Sequence, residues 1–192
     1  MLLFDIVTTL QKVPETRGRD ERIALLSDCL GRLAPDEIEI GVHYLTGRMR
    51  QGNIRIDWEL LNAVLPGVPA DAPTLTVAEV DDAFSEIVRT TEGGLNAERR
   101  AVLRTMFSRA SADEQQFLTR IAIGELRQGA LDGVMIEAIA KAGTVPVSHV
   151  HRAILQACDI TLVAKTALTE GVRGLKRIAP VTAVARPAKK RK

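Results

Sequence analysis

A glycine-rich segment between two helical patterns contains the residues best suited to bind an anion. It reads Gly124-Glu125-Leu126-Arg127-Gln128-Gly129-Ala130-Leu131-Asp132-Gly133. Glycines let a ligand approach the backbone closely, and a helix that opens at Asp132 has unpartnered N–H groups in its first turn. Such N–H groups and the guanidinium of Arg127 are suitable ligands for phosphate. The segment therefore predicts a phosphate-binding corner.

A second junction has the same design. Glu92-Gly93-Gly94-Leu95-Asn96 leads into a helical pattern that carries Arg99 and Arg100. Two such corners on one face would hold a nucleic-acid backbone at two points and fix its position without reading its sequence. The predicted phosphate ligands are Gly93, Gly94, Asn96, Arg99, Arg100, Gly124, Arg127, Gly129 and Gly133. The alternative is that the glycines only end helices and the arginines are solvated.

Further arginines occur in two places along the first half of the chain. Arg17, Arg19 and Arg22 surround one helix start, and a basic loop at residues 48–57 carries Arg48, Arg50 and Arg55. They would add phosphate contacts if they lie on the same side as the two corners. Each one taken alone is equally compatible with a solvated surface charge.

No catalytic residue and no metal ligand is predicted. His149 and His151 are two residues apart and would lie on different faces of a helix, which does not suit a zinc site. The chain has no Gly-x-Ser-x-Gly, Walker, Cys-x-x-Cys or dinucleotide-binding motif. Asp81 and Asp82 fall in an early helical turn, where the helix dipole explains acidic residues without catalysis. Trp58 and Tyr44 are too few to form a base-stacking platform.

The charge of the chain is divided unevenly. The formal net charge is +2, but residues 171–192 contain eight basic and no acidic residues, which leaves 18 basic and 24 acidic residues before them. The last 22 residues also lack apolar periodicity, so we expect a helical domain at residues 1–170 and a basic disordered tail or linker at residues 171–192. The tail is either a phosphate-binding arm or only a solubilising terminus.

Helical periodicity dominates, and alternating strand patterns hardly appear. The apolar content of 46 % with only 3 % aromatic residues predicts a core of aliphatic side chains. Capping boxes at Thr76-x-x-Glu79 and Ser111-x-x-Glu114 mark two helix starts. The predicted helices cover residues 2–14, 19–33, 35–47, 57–65, 76–91 and 111–124, with four more opening at Asn96, Asp132, Pro146 and Asp159 and the last ending near Gly171. The fold class is therefore all-α, an irregular bundle of about ten helices in two halves joined by a linker at residues 66–73.

Cysteine usage and hydropathy indicate the cellular compartment in which the protein resides. Cys29 and Cys158 are isolated in apolar helical patterns, so both are expected to be buried free thiols. The chain has no run of 18 uncharged apolar residues and no basic residue before its apolar start. We therefore expect a cytoplasmic protein with no membrane partner.

The same junctions carry a resemblance to a known family. The chain resembles the amino-terminal DNA-binding domain of ATP-dependent DNA ligases of the bacterial and archaeal type over about residues 1–170. The matching motifs are Tyr44-Leu45-Thr46-Gly47, Asn53-Ile54-Arg55-Ile56-Asp57-Trp58, the glycine loop before Asn96, and Gly124-Glu125-Leu126-Arg127-Gln128-Gly129-Ala130 with the helix that follows. The family loop often reads Gly-x-Gly-Ser, and Asn96, which stands in place of the serine, can cap a helix as serine does.

The resemblance implies an all-helical domain that meets the minor groove around a nick. It also implies that Gly124, Arg127, Gly129 and the following helix start contact phosphates, as does the junction from Gly93 to Arg100. The expected function is sequence-independent binding of duplex DNA, nicked or intact, within a DNA ligase that acts in repair, replication or recombination. The alternative function is a helical interaction module that docks a separate catalytic or repair subunit.

One motif of the ligase family is absent from the sequence. Ligation needs a lysine in a Lys-x-Asp-Gly motif to accept AMP, and no lysine of this chain is followed by that pattern. The resemblance therefore implies no ligase activity from this chain alone and no cofactor within it. ATP and Mg²⁺ would belong to a missing catalytic domain, and a separate nucleotidyltransferase domain is an expected partner.

Overall fold

The computed structural model describes residues 1–52, 54, 56–65, 68–92, 96–126 and 131–180. Within those ranges it contains ten α-helices and no β-strand, which confirms the all-α class. The helices are α1 Leu3–Glu15, α2 Arg19–Gly31, α3 Ile38–Leu45, α4 Trp58–Val64, α5 Val77–Glu92, α6 Asn96–Ser108, α7 Ala112–Ala122, α8 Asp132–Ala142, α9 Val147–Ala157 and α10 Ile160–Arg177. Among the helices described, none has the length and apolar character needed to cross a membrane.

Helices from the two halves of the sequence share one hydrophobic core. Helix α2 packs on α8, α10 packs on α3, and α1 packs on α7. The start of the chain is also tied to the start of α5, because Leu3 donates its N–H to the carbonyl oxygen of Leu75 at 2.8 Å and Val77 donates to that of Met1 at 3.0 Å. Long-range contacts of this kind fix the second half of the chain against the first.

Local capping sets several helix starts where the sequence predicts them. Both capping boxes form, with the carboxylate of Glu79 accepting from the N–H of Thr76 and that of Glu114 accepting from the N–H of Ser111, each at 2.9 Å. The side chain of Asp57 caps α4 and that of Asp159 caps α10. Each cap satisfies backbone donors that would otherwise be unpartnered, a contribution of about 1 kcal/mol per helix.

Helix α7 ends in a Schellman motif centred on a glycine. Gly124 has φ of 77° and donates its N–H to the carbonyl of Ile121 at 3.1 Å, while Glu125 donates to that of Arg120 at 2.8 Å. Residues with a side chain rarely adopt this left-handed conformation. The end of α7 therefore itself requires glycine at position 124.

Helix α8 lies at the centre of the second half and packs against α2, α9 and α10. Its side chains Met135, Ala138 and Ile139 are fully buried. At its end, a Cβ added to Gly143 would lie 2.7 Å from the carbonyl oxygen of Ala167 on α10. Since carbon and oxygen cannot approach that closely, the absence of a side chain at position 143 lets α8 and α10 meet backbone to backbone.

The last helix extends beyond its predicted end at Gly171. Gly171 has non-helical angles, φ 61° and ψ −149°, but the helix resumes and continues to Arg177. Leu175 is only 2 % exposed, so this segment has an apolar anchor in the core. Residues 171–177 thus belong to α10 and not to the predicted tail, and residues 181–192 lie outside the described residues.

Two side chains differ from their predicted environment. Cys29 is buried as expected, but the prediction is wrong for Cys158, which is an exposed free thiol at the end of α9 with φ of 53°. The helix dipole is also an insufficient explanation for Asp81, whose side chain is buried and ion-paired with Arg50. Both differences arise from tertiary packing, which local sequence patterns do not report.

The close approach of α8 and α10 generates a stability prediction. We expect Gly143→Ala to lower the free energy of unfolding by about 1–3 kcal/mol, because the added methyl group has no space against Ala167. Gly31→Ala is the matched control, since a Cβ there would meet no atom within 4 Å. We expect Gly31→Ala to be neutral or stabilising by up to about 1 kcal/mol. Urea denaturation followed by circular dichroism measures both, and equal effects would refute the packing argument.

Candidate nucleic-acid interface

The start of α6 places its two arginines in different environments. Arg99 is 8 % exposed and donates from Nη2 to the carbonyl oxygen of Ile54 at 3.2 Å. Arg100 is exposed to solvent. Of the predicted pair, Arg100 therefore occupies the surface position expected of a phosphate ligand, whereas Arg99 faces the interior. Gly93 and Gly94 lie outside the described residues, and Asn96 is the first residue of α6.

The burial of Arg99 has a signal in the sequence that the initial interpretation missed. Arg99 precedes Leu103 by four residues and Met106 by seven, which is the spacing of one helical face. Leu103 and Met106 are both buried. An arginine on an apolar face is expected to turn inward and find an acceptor there.

The glycines around the start of α8 have different roles. Gly124 belongs to the end of α7, as the alternative interpretation of the glycines proposed for such positions. Gly133, in contrast, lies exposed in the first turn of α8 with no positive φ, and a Cβ added there would meet no atom within 4 Å. The fold therefore does not require glycine at position 133. Arg127 and Gly129 lie outside the described residues.

An arginine from the first half of the chain reaches the first turn of α8. Arg19, the first residue of α2, donates from Nη2 to Oε1 of Glu137 at 2.6 Å and to the carbonyl oxygen of Gly133 at 3.4 Å. The hydrogen bond that Arg19 donates to Glu137 raises the pKa of Arg19. Arg19 thus lies beside Gly133, one of the predicted residues of the corner at residues 124–133. Arg17 is also exposed, and Arg22 donates from Nε to the carbonyl oxygen of Thr16 at 2.6 Å.

The basic loop between α3 and α4, residues 46–57, is held against α5. Arg50 forms an ion pair with Asp81, and Gln51 donates from Nε2 to Oδ1 of the same carboxylate at 2.8 Å. Arg48 is exposed, and Arg55 lies outside the described residues. The loop thus contains one arginine that anchors it and another that faces solvent.

The titratable groups near this loop have the properties of a packed interior. Burial raises the pKa of Tyr44 well above its usual value, and the charge of Asp81 raises it further. Burial also lowers the pKa of His43, which favours the neutral imidazole. In the described part of the chain, no three His, Cys, Asp or Glu side chains converge in a way that could hold a metal ion.

The arrangement has a chemistry suited to anion binding. Exposed guanidinium groups lie near two helix starts, where backbone N–H groups carry partial positive charge. A duplex backbone offers oxygen acceptors at regular spacing, which such groups can bind without regard to base identity.

Comparison with known proteins gives the family context. Residues 61–140 match the family described as DNA ligase N terminus. The chain is 45 % identical over 178 residues to a probable DNA ligase of Anaeromyxobacter sp. strain Fw109-5, covering 92 % of this chain and 34 % of that protein. It is 40 % identical over 178 residues to a probable DNA ligase of Sorangium cellulosum, covering 92 % of this chain and 33 % of the relative. It is 41 % identical over 175 residues to a probable DNA ligase of Rhodococcus opacus, covering 91 % of this chain and 35 % of that relative.

The chain spans about a third of the length of these relatives. Both predicted corners, residues 93–100 and 124–133, fall inside the segment that matches the family. The match to the DNA ligase N terminus and the identities of 40–45 % to probable DNA ligases show that this chain is related to DNA ligases through their amino-terminal domain.

Proposed function

We propose that this chain binds duplex DNA through backbone phosphates, independently of sequence, as the DNA-binding part of an ATP-dependent DNA ligase. The observation that carries the proposal is the first turn of α8, where exposed Gly133 and the guanidinium of Arg19 lie together inside a region related to DNA ligases. A glycine that the fold does not need is explained by close approach of a ligand backbone.

The electrostatics of the domain favour a local binding face over a general attraction. Residues 1–180, which include all of α10, contain 21 basic and 24 acidic residues, a net charge of −3. A negative body repels DNA at long range, so affinity has to come from a few well-placed contacts. Arg100 at α6, Arg19 at α8 and the N–H groups of both first turns are the proposed contacts. Arg127, Gly93, Gly94, Asn96 and Gly129 remain proposed ligands within the same two corners.

The remaining proposals concern the whole ligase. The natural substrate is nicked duplex DNA in repair, replication or recombination, and the protein works at the nucleoid in the cytoplasm. A separate nucleotidyltransferase domain with a Lys-x-Asp-Gly motif binds ATP and Mg²⁺ and performs the chemistry. This chain holds the duplex for that domain.

A second candidate function rests on two exposed leucines, one near the end of α9 and one near the start of α10. Leu155 is 76 % exposed and Leu162 is 43 % exposed, on helices that carry none of the proposed DNA contacts. Exposed leucines of this kind favour a protein-docking module for a catalytic or repair subunit. Pull-down experiments with and without nuclease separate the two functions, because a docking module would retain a protein partner and no DNA.

The glycine at position 133 allows a test of close approach. We expect Gly133→Ala to leave folding intact, since its Cβ meets no atom of the protein, but to weaken DNA binding by about tenfold because the methyl group holds the phosphate away. Fluorescence anisotropy with a labelled nicked duplex measures the Kd. Gly31→Ala, at another open helical position, is the control and should bind like the wild type. If Gly133→Ala also binds like the wild type, the first turn of α8 is not a contact.

The exposed arginine of α6 allows a test of phosphate contact. We expect Arg100→Ala to weaken binding to every DNA sequence and to reduce the slope of log K against log salt by about one unit, because one phosphate contact is lost. Arg127→Ala is expected to act in the same way. Arg152→Ala, an exposed arginine of α9, is the control for charge alone. A salt slope that is unchanged in Arg100→Ala would contradict its role.

A further inference from the structure

Asp81 on α5 is a buried carboxylate that holds the α3–α4 loop. Its side chain is 2 % exposed and accepts hydrogen bonds on both oxygens. The guanidinium of Arg50 pairs with Oδ2 and donates from Nε to Oδ1 at 3.4 Å, and Gln51 donates from Nε2 to Oδ1 at 2.8 Å. Since an unpaired buried carboxylate is strongly unfavourable, these partners are closely specified.

Gln51 adds two more contacts between the loop and α5. Its Nε2 lies 3.0 Å from the backbone oxygen of Asp81 and 2.8 Å from Oγ of Ser85. These acceptors belong to two residues one helical turn apart, Asp81 and Ser85, and they share the two N–H donors of the Gln51 amide, which attaches the loop to α5 at residue 51.

The far side of the loop is attached to α6. Arg99 donates to the carbonyl oxygen of Ile54, and the side chains of Ile54 and Ile56 are buried in the core. Arg99 lies in the first turn of α6 and directly precedes the exposed Arg100. The loop between α3 and α4 is therefore attached both to Asp81 on α5 and to the first turn of α6. Arg48, on the same loop, is exposed.

We infer that Asp81 is a positioning residue that holds the α3–α4 loop beside the start of α6, so that the loop and α6 contact the same anionic DNA backbone. This inference rests on the proposed DNA-binding function. Arg48 supplies the phosphate contact from the loop, whereas Arg50 and Gln51 attach the loop to α5. The carboxylate of Asp81 does not meet DNA and acts through the loop.

Removing an acidic residue from a DNA-binding domain normally strengthens binding, because it removes repulsion from the phosphates. If Asp81 positions the loop, its neutralisation weakens binding instead, since an exposed contact is lost. The neighbouring acidic residue Asp82 is exposed. Its substitution by Asn changes the net charge by the same amount and therefore serves as the control.

The test compares Asp81→Asn with Asp82→Asn in the full chain. We expect Asp81→Asn to raise the Kd for a labelled nicked duplex by about three- to tenfold and to reduce the salt slope by roughly one unit, the value for one lost phosphate contact. Asp82→Asn is expected to bind as tightly as the wild type or more tightly. Circular dichroism gives the folded fraction at the assay temperature, and the Kd is expressed per folded protein.

A double-mutant cycle with Arg48→Ala separates positioning from general damage. Arg48→Ala alone should reduce the salt slope by about one unit, but in the Asp81→Asn background it should have little further effect, because the contact is already lost. Independent, additive effects of the two substitutions would overturn the inference. If Asp81→Asn fails to fold, Gln51→Ala replaces it, because that variant removes the attachment at Gln51 and leaves the ion pair with Arg50 in place.

The outcomes distinguish this inference from the function on which it rests. Wild-type protein without salt-dependent DNA binding refutes the proposed function. Wild-type binding combined with equal responses of Asp81→Asn and Asp82→Asn refutes only the positioning role. Weakened binding in Asp81→Asn alone, with no added effect of Arg48→Ala, supports it.

Discussion

Close packing of α8 against three other helices fixes where its first turn reaches the surface. Helix α8 contacts α2, α9 and α10, and small residues allow the approach: Ala138 and Ala140 are buried along it, and Gly143 leaves room for the backbone of α10. A helix held on these sides has little freedom to move along its axis. Its first turn is therefore presented at the surface in a fixed position, where Arg19 from α2 meets it.

Charged residues in this domain divide into those that bind other parts of the chain and those that face outward. Arg99 and Asp81 are buried and bind other parts of the chain, whereas Arg100 and Arg48 are exposed. Burying the charges of Arg99 and Asp81 costs desolvation energy, which is offset only when their partners are in place. The two residues therefore favour one arrangement of the α3–α4 loop relative to α5 and α6. A preformed arrangement reduces the ordering cost of binding, which matters for a domain whose net charge does not attract DNA.

Much of the fold could be predicted from sequence, because its helix starts are set by local chemistry. The capping boxes at Thr76 and Ser111 and the caps Asp57 and Asp159 form as their spacing predicts. The site was only partly predictable. The spacing of Arg99 to Leu103 and Met106 indicates its burial, but its acceptor is a carbonyl group 45 residues earlier, and the pairing of Arg50 with Asp81 joins segments 31 residues apart. Leu175 likewise extends α10 past Gly171 through a tertiary contact that periodicity does not reveal.

Backbone amide hydrogen exchange with and without nicked duplex tests the central claim most directly. The first N–H groups of a helix have no acceptor within it and exchange quickly, so a phosphate bound there slows them. We predict that DNA slows exchange at the first turns of α6 and α8 and in residues 48–52, and leaves α9 unchanged. Protection confined to α9 and α10, or no change at either helix start, would contradict the account.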